Sequence, residues 1–210
     1  MIIDLTADIM DGALAPPGDP PYSITPHSDI ATDGFNLSKV TFGTHQGTHI
    51  DAPSHMIDGA QSISDIPASR FVVLAVMANL SHLPRGSTID IAHLLPYKSD
   101  IKPGMGIIIQ TGWDKHLNTN QYFTDSPCIS PKLAAWFVDK QIGLLGIDMP
   151  CPCAADWQRV HKTLLGGDIL IVEGLVNLSA LNSDPFTFCA LPLKLIGADG
   201  SPARAIAITD

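Results

Sequence analysis

The chain has 210 residues, 45% of them hydrophobic and only 16% charged. That is enough apolar material for a packed core and too little charge for a disordered chain. A formal charge of −9 with no run of Lys or Arg argues against nucleic acid or an anionic membrane as partner. The length suits one domain spanning 1–210, and would also accommodate two small ones.

The start, Met1-Ile2-Ile3-Asp4-Leu5, has no basic n-region and no long apolar h-region. The longest apolar runs, such as Phe71 to Ala78, fall far short of the roughly 20 residues a membrane helix needs. A cytoplasmic protein with no membrane partner is therefore expected. Gly12 to Pro26 holds Pro16, Pro17, Gly18, Asp19, Pro20 and Pro21 and reads as an extended loop, because Pro lacks the amide donor and biases its neighbour away from helix. Buried strands are predicted at Phe71 to Ala78, Gly106 to Gln110, Gly143 to Ile147 and Ile169 to Val172, all rich in Val, Ile and Leu and bounded by Gly, Pro or Asp. Helices are predicted at Pro131 to Gln141, opened by Ser130-Pro131, and at Ala154 to Leu165, closed by Gly166-Gly167. Alternating strands and helices indicate an α/β class, and the short Pro-rich strands of the first half add an antiparallel component. The cysteines Cys128, Cys151, Cys153 and Cys189 form no C-x-x-C pair and are expected as free thiols. Cys151-Pro152-Cys153 is a candidate soft-metal or thiol site.

The informative stretch is His45-Gln46-Gly47-Thr48-His49-Ile50-Asp51-Ala52-Pro53-Ser54-His55, which holds three of the eight histidines. As an extended strand it places His45, Gly47, His49 and Asp51 on one face. Gly47 then leaves room between two imidazoles for an ion. Pro53 ends the strand and turns the chain, so that His55 returns toward the same place. Two imidazoles and a carboxylate with open positions are a usual set for a catalytic metal. A helical reading would give the His45/His49 spacing of H-E-x-x-H proteases, but Gln46 stands where the Glu is required and Gly47-Thr48 disfavours helix. Glu173, in the apolar run from Ile169 to Val176, is costly to bury without a cation. A metal with His161, twelve residues earlier, or a Lys or Arg partner would each satisfy it. His27, His82, His93 and His116 receive no role.

The run H-x-G-T-H-x-D-x-P-x-H, with seven fixed positions of eleven matched from His45 to His55, resembles the signature of the metal-dependent hydrolase family often called cyclase. That family includes bacterial kynurenine formamidases and isatin hydrolases. The resemblance continues through Ile3-Asp4-Leu5, Pro17-Gly18-Asp19, Leu145-Gly146-Ile147-Asp148, Val160-His161, Glu173-Gly174, Leu191-Pro192-Leu193-Lys194 and Ser201-Pro202-Ala203-Arg204-Ala205. It implies a swivelling β/β/α-type fold with a mixed sheet, a homodimer, and one or two zinc or manganese ions per subunit. It further implies His45, His49, Asp51, His161 and Glu173 as metal ligands and His55 as catalytic acid/base.

The activity implied is hydrolysis of a small-molecule amide, as in arylformamidases, with a metal activating water and His55 moving the proton. A cyclic-amide hydrolase of the isatin type and a catalytically silent metal-binding member are the alternatives. Kynurenine formamidases carry Trp where this chain has Pro16, and Ser and Asp where it has Cys151 and Cys153. These departures touch the substrate pocket rather than the metal.

Overall fold

The computed structural model describes residues 1–13, 15–182 and 185–209. Among these residues twelve strands run in chain order: β1 (Ile2–Asp4), β2 (Ser23–Ser28), β3 (Leu37–Thr41), β4 (His49–Asp51), β5 (Val72–Asn79), β6 (Thr88–Ile89), β7 (Gly106–Gln110), β8 (Cys128–Ile129), β9 (Leu144–Ile147), β10 (Leu170–Glu173), β11 (Phe186–Pro192) and β12 (Gly200–Ile208). Eight of them form a mixed sheet in the order β1-β12-β11-β5-β7-β9-β10-β4, and β4 also pairs with β12, which closes the sheet into a barrel.

The centre of that sheet follows from composition. Strands β5, β7, β9 and β10 are parallel neighbours; β7, β9, β10 and the Ala75 to Ala78 half of β5 are covered on both faces, as parallel strands require, while Val72 and Leu74 are exposed. The strand period of two then divides their side chains. Ile108, Leu144, Leu170 and Val172 pack with Phe186, Phe188, Ala203, Ala205 and Ala207 inside the barrel. Ile107, Ile109, Leu145, Ile147 and Ile171 pack outward with Leu133, Phe137, Val160 and Leu164. The interior has no room at Gly146, where a Cβ would stand 2.5 Å from the Ile108 side chain.

The outer layer is supplied by two helices. One covers Pro131–Asp139, with the Ser130 hydroxyl accepting from the Leu133 amide and Pro131 in the first turn, an arrangement that meets two otherwise idle helix-start requirements. The other covers Trp157–Gly166 after a short 3-10 turn at Ala154–Asp156. Both lie within a few residues of their predicted spans. No helix among the described residues is long and apolar enough to cross a membrane.

Three expectations change. The Gly12 to Pro26 loop gives way to strand β2 at Ser23, paired with β3 in an antiparallel hairpin that bulges after Pro26. Pro is tolerated there because a two-stranded hairpin leaves outer edges where no amide is required. Leu14 of that loop lies outside the described residues. The cysteines are not all free: Cys128 and Cys153 form a disulfide. Strand β8 and the segment after β9 are brought together where the Ile129 amide donates to the Pro152 carbonyl at 2.8 Å. With Cys153 so used, the paired soft-metal site at Cys151 and Cys153 is not formed. Cys151 stays free, and burial followed by the negative charge of Glu173 pushes its thiol far above the usual range.

Asp148, at the end of β9, is fully buried. Its carboxylate accepts from the Thr111 amide and hydroxyl and from the Gly112 amide, with contacts of 2.6 to 3.1 Å. Burial raises its pKa to about 6 against these donors. Its structural effect is to pin the turn that leads into the wall of the pocket described next.

Candidate metal centre

Register places three of the site residues. In the antiparallel ladder of β4 and β10, His49 lies opposite Glu173 and Asp51 opposite Ile171, so His49, Asp51 and Glu173 share one face of the sheet. Ile50, between the two β4 residues, points into the barrel core. The helix Trp157–Gly166 lays His161 over the same face.

Only three of the eleven motif residues, His49–Asp51, are strand. His45 sits in a turn, and Gly47 has φ +64°. The glycine is therefore required for the turn, not for room between imidazoles. A Cβ there would also meet Ile9 at 2.9 Å. Thr48 is a second structural member of the motif: its hydroxyl donates to the Gly174 carbonyl at 2.6 Å and accepts from the Ala7 amide at 2.8 Å. This clamp holds β10's end against the motif. After β4, Pro53–His55 forms one 3-10 turn, which brings the His55 ring to 4.0 Å from the His45 ring and 5.8 Å from that of His161.

All six predicted residues meet in one place. His49 Nε2 lies 3.5 Å from Asp51 Oδ1 and 3.3 Å from Glu173 Oε2. His161 Nε2 lies 3.1 Å from Glu173 Oε1 and 3.6 Å from Asp51 Oδ2. His45 Nδ1 lies 2.8 Å from Asp51 Oδ1. Two triads of ligand-type atoms result, each within 4.8 Å: His45, Asp51 and His55, and His49, Asp51 and Glu173. Asp51 belongs to both.

The outward-facing nitrogens define the tautomers. His49 Nδ1 is 2.9 Å from the Gly47 carbonyl and His161 Nδ1 is 2.8 Å from the Trp157 carbonyl. A carbonyl only accepts, so each Nδ1 carries a hydrogen, which leaves Nε2, the nitrogen facing the carboxylates, as the one that could ligate an ion. This is the orientation that metal-ligating histidines take from backbone partners. His49 Nε2 and Asp51 Oδ2 are buried without a hydrogen-bond partner, the state expected of atoms meant for an ion. The donor set of imidazole and carboxylate fits a divalent transition metal.

In the metal-free protein, protons do part of the ion's work. Burial lowers the His45 pKa, but the hydrogen bonds and charges of Asp199 and Asp51 outweigh it and hold the ring up to about 10. Burial likewise works against His161, and Glu173 with Asp51 raises it to about 9. Burial raises Asp51, yet His45, His49 and His161 together drive it well below the ordinary carboxylate range.

Asp199 is a residue of this cluster that the sequence did not announce. It lies between β11 and β12, and its Oδ2 is 3.0 Å from His45 Nε2 and 3.1 Å from His55 Nδ1.

A pocket opens over the site, lined by Pro16, Leu117, Asn118, Tyr122, Phe123 and Pro150 together with His45, His49 and the glycines 47 and 174. Pro16 thus stands in the pocket wall, as expected. Cys153 does not, being buried in the helical core cluster and held by its disulfide.

The family model described as "Putative cyclase" matches residues 3–152. The chain belongs to the cyclase family. A kynurenine formamidase from Geobacillus thermodenitrificans is 33% identical over 193 residues, covering 90% of this chain and 88% of that one. A predicted metal-dependent hydrolase from Bacillus stearothermophilus superposes with a TM-score of 0.77 at 27% identity, over 99% of this chain and 97% of its own. Isatin hydrolase A from Ralstonia solanacearum superposes with a TM-score of 0.90 over 100% and 92%, and at 22% identity it speaks for the family fold alone.

Proposed function

We propose that this cyclase-family chain is a metal-dependent hydrolase that cleaves a carbon–nitrogen amide bond of a small molecule, in the manner of an arylformamidase. One observation carries the reading: two imidazoles, each tied by Nδ1 to a carbonyl, aim Nε2 at a buried carboxylate pair. Asp51 and Glu173 bring two negative charges into a site where each is at most 4% exposed, and one divalent ion would cancel both.

His45, His49, Asp51, His161 and Glu173 would hold the metal, which is zinc or manganese, with one or two ions per subunit. When bound it supplies an electrophile for the substrate carbonyl and water activated at neutral pH. The remaining chemistry is the chain's own. His55 takes the proton that the attacking water loses and delivers it to the amide nitrogen as the carbon–nitrogen bond breaks. Leu117, Tyr122 and Phe123 surround the organic part of the substrate with apolar surface and exclude water from it.

The whole chain forms one such domain, acts in the cytoplasm and works as a homodimer. The hairpin of β2 and β3 supports the last point, since Ile24, Ile30, Phe35, Leu37 and Val40 on and between its strands are 40 to 67% exposed, more apolar surface than a lone arm would keep in water.

Metal uptake should release protons. The metal-free site holds protons on His45 and His161 up to about 10 and about 9, and an ion needs the lone pairs those protons occupy. Apparent affinity therefore rises with pH through about 9 and on to about 10, and falls on acidification. Zinc titration calorimetry at pH 7 in buffers of different ionisation enthalpy measures this directly. Heats that do not depend on the buffer would contradict the protonated metal-free site.

The reading itself is tested by absorbance assays of N-formylkynurenine and isatin, using metal-stripped protein with and without added zinc or manganese. Metal-dependent hydrolysis of N-formylkynurenine is expected. Turnover of isatin alone would move the assignment to the cyclic-amide branch. No turnover of either, with metal firmly bound, would contradict both.

A further inference from the structure

We propose that Asp199 is the positioning residue of the acid/base histidine: its carboxylate keeps the proton on His55 Nδ1, which makes Nε2 the atom that trades a proton with the substrate. The inference rests on the reading of His55 given above and deepens it.

Three donors converge on this one carboxylate. Thr44 Oγ1 donates to Oδ1 at 2.9 Å. His45 Nε2 and His55 Nδ1 both lie against Oδ2, at 3.0 and 3.1 Å. An ionised carboxylate only accepts, so both ring nitrogens facing it must carry hydrogen. For His55, a neutral ring with Nδ1–H has its lone pair on Nε2. For His45, keeping Nε2–H leaves Nδ1, the nitrogen beside Asp51, for the ion. One side chain thus sets two tautomers, with different consequences for each ring.

The backbone around Asp199 is fixed for this task. Its carbonyl accepts from the Ala52 amide at 2.9 Å, and the preceding Ala198 carbonyl accepts from Ile63 at 2.8 Å. The next residue, Gly200, pairs with Asp51 in the β4–β12 ladder. A Cβ at Gly200 would stand 2.8 Å from the Ile50 carbonyl oxygen and 2.9 Å from His45 Cε1. Only glycine lets this segment approach His45 so closely, and that approach is what carries the Asp199 carboxylate to His55. The His55 side chain is 24% exposed. Water could reach its ring and leave both tautomers populated, so a fixed acceptor has something to decide.

The test is Asp199→Asn in the zinc-loaded protein, read by ring ¹⁵N–¹H correlation spectra of labelled histidine, with the His55 signals identified by their loss in His55→Gln. Thr44 keeps the asparagine oxygen at the Oδ1 place, so an NH₂ group replaces Oδ2 and donates where a carboxylate accepted. His55 then moves its proton from Nδ1 to Nε2. The same swap at His45 weakens zinc retention, so Asp199→Ala is measured beside it. In that variant water can accept from either ring, zinc stays, and His55 loses its Nδ1–H preference. Turnover of Asp199→Ala falls about 10- to 100-fold, the range for a lost partner behind a working side chain, with KM little changed. An unchanged His55 tautomer in both variants overturns the proposal, whatever turnover does. The spectra require no substrate. A tautomer shift in protein that hydrolyses neither test amide would support Asp199's role and remove only the substrate assignment.

Discussion

Replacing Asp51 with alanine removes metal binding and lowers turnover by at least about a thousandfold. Asp51 belongs to both triads of ligand-type atoms, so its loss opens both candidate positions together. The lost metal chemistry amounts to several kcal/mol of transition-state stabilisation, and about 4 kcal/mol corresponds to that factor. The change reaches stability too. Asp51 is 1% exposed and faces His45, His49 and His161. Removing one member of a buried charged set costs about 3 to 5 kcal/mol, because its partners are left uncompensated. Asp51→Asn keeps the volume and separates the two effects: it should pack better than the alanine variant and still bind metal poorly. Elemental analysis of dialysed protein, together with turnover and thermal unfolding, measures all three quantities. A fully active Asp51→Ala variant with its metal in place would refute the site.

His55→Ala has a different signature. It keeps the metal, leaves KM nearly unchanged and lowers kcat by about 10²- to 10⁴-fold, the usual contribution of a positioned acid/base. The distinction matters because His55 also stands in a triad with His45 and Asp51, close enough to be a ligand. Its Nδ1 is engaged by Asp199, and its ring is partly open to solvent while His49 and His161 are buried. A ligand role would show as metal loss in His55→Ala. An acid/base role shows as a metal-replete enzyme that turns over slowly.

What could be read from the sequence follows a physical line. The parallel strands β7, β9 and β10 were legible because burial on both faces writes an uninterrupted Val/Ile/Leu run, and β5 was legible by the same kind of run although its Val72 and Leu74 are exposed. The two longer helices were legible through Ser130-Pro131 and Gly166-Gly167, which are local signals. The motif was legible as a cluster and less so as a shape. Alternation accounts for His49 and Asp51, but His45 reaches the site through a turn at Gly47, and a turn of that kind looks like a strand when only residue parity is read. Asp199 was not legible. It is 154 residues from His45 and 144 from His55, and it meets them only because β4 pairs with β12 when the barrel closes. An aspartate before a glycine otherwise reads as a turn. The Cys128–Cys153 bridge was hidden for a similar reason: 25 residues and a helix separate its ends, and nothing local marks the pairing of β8 with the chain after β9. Glu173 lies between these cases. Its cost of burial was evident from its strand, while its partners depended on register.

The most direct test of the metal centre is X-ray absorption at the zinc edge on protein reloaded with zinc, compared with the Glu173→Gln and His161→Ala variants. The account predicts a shell of nitrogen and oxygen ligands at about 2.0 to 2.2 Å, with imidazole scattering that weakens in His161→Ala and a metal content that falls in both variants. Zinc bound through sulfur, or a spectrum and metal content unaltered by both substitutions, would place the ion elsewhere and contradict it.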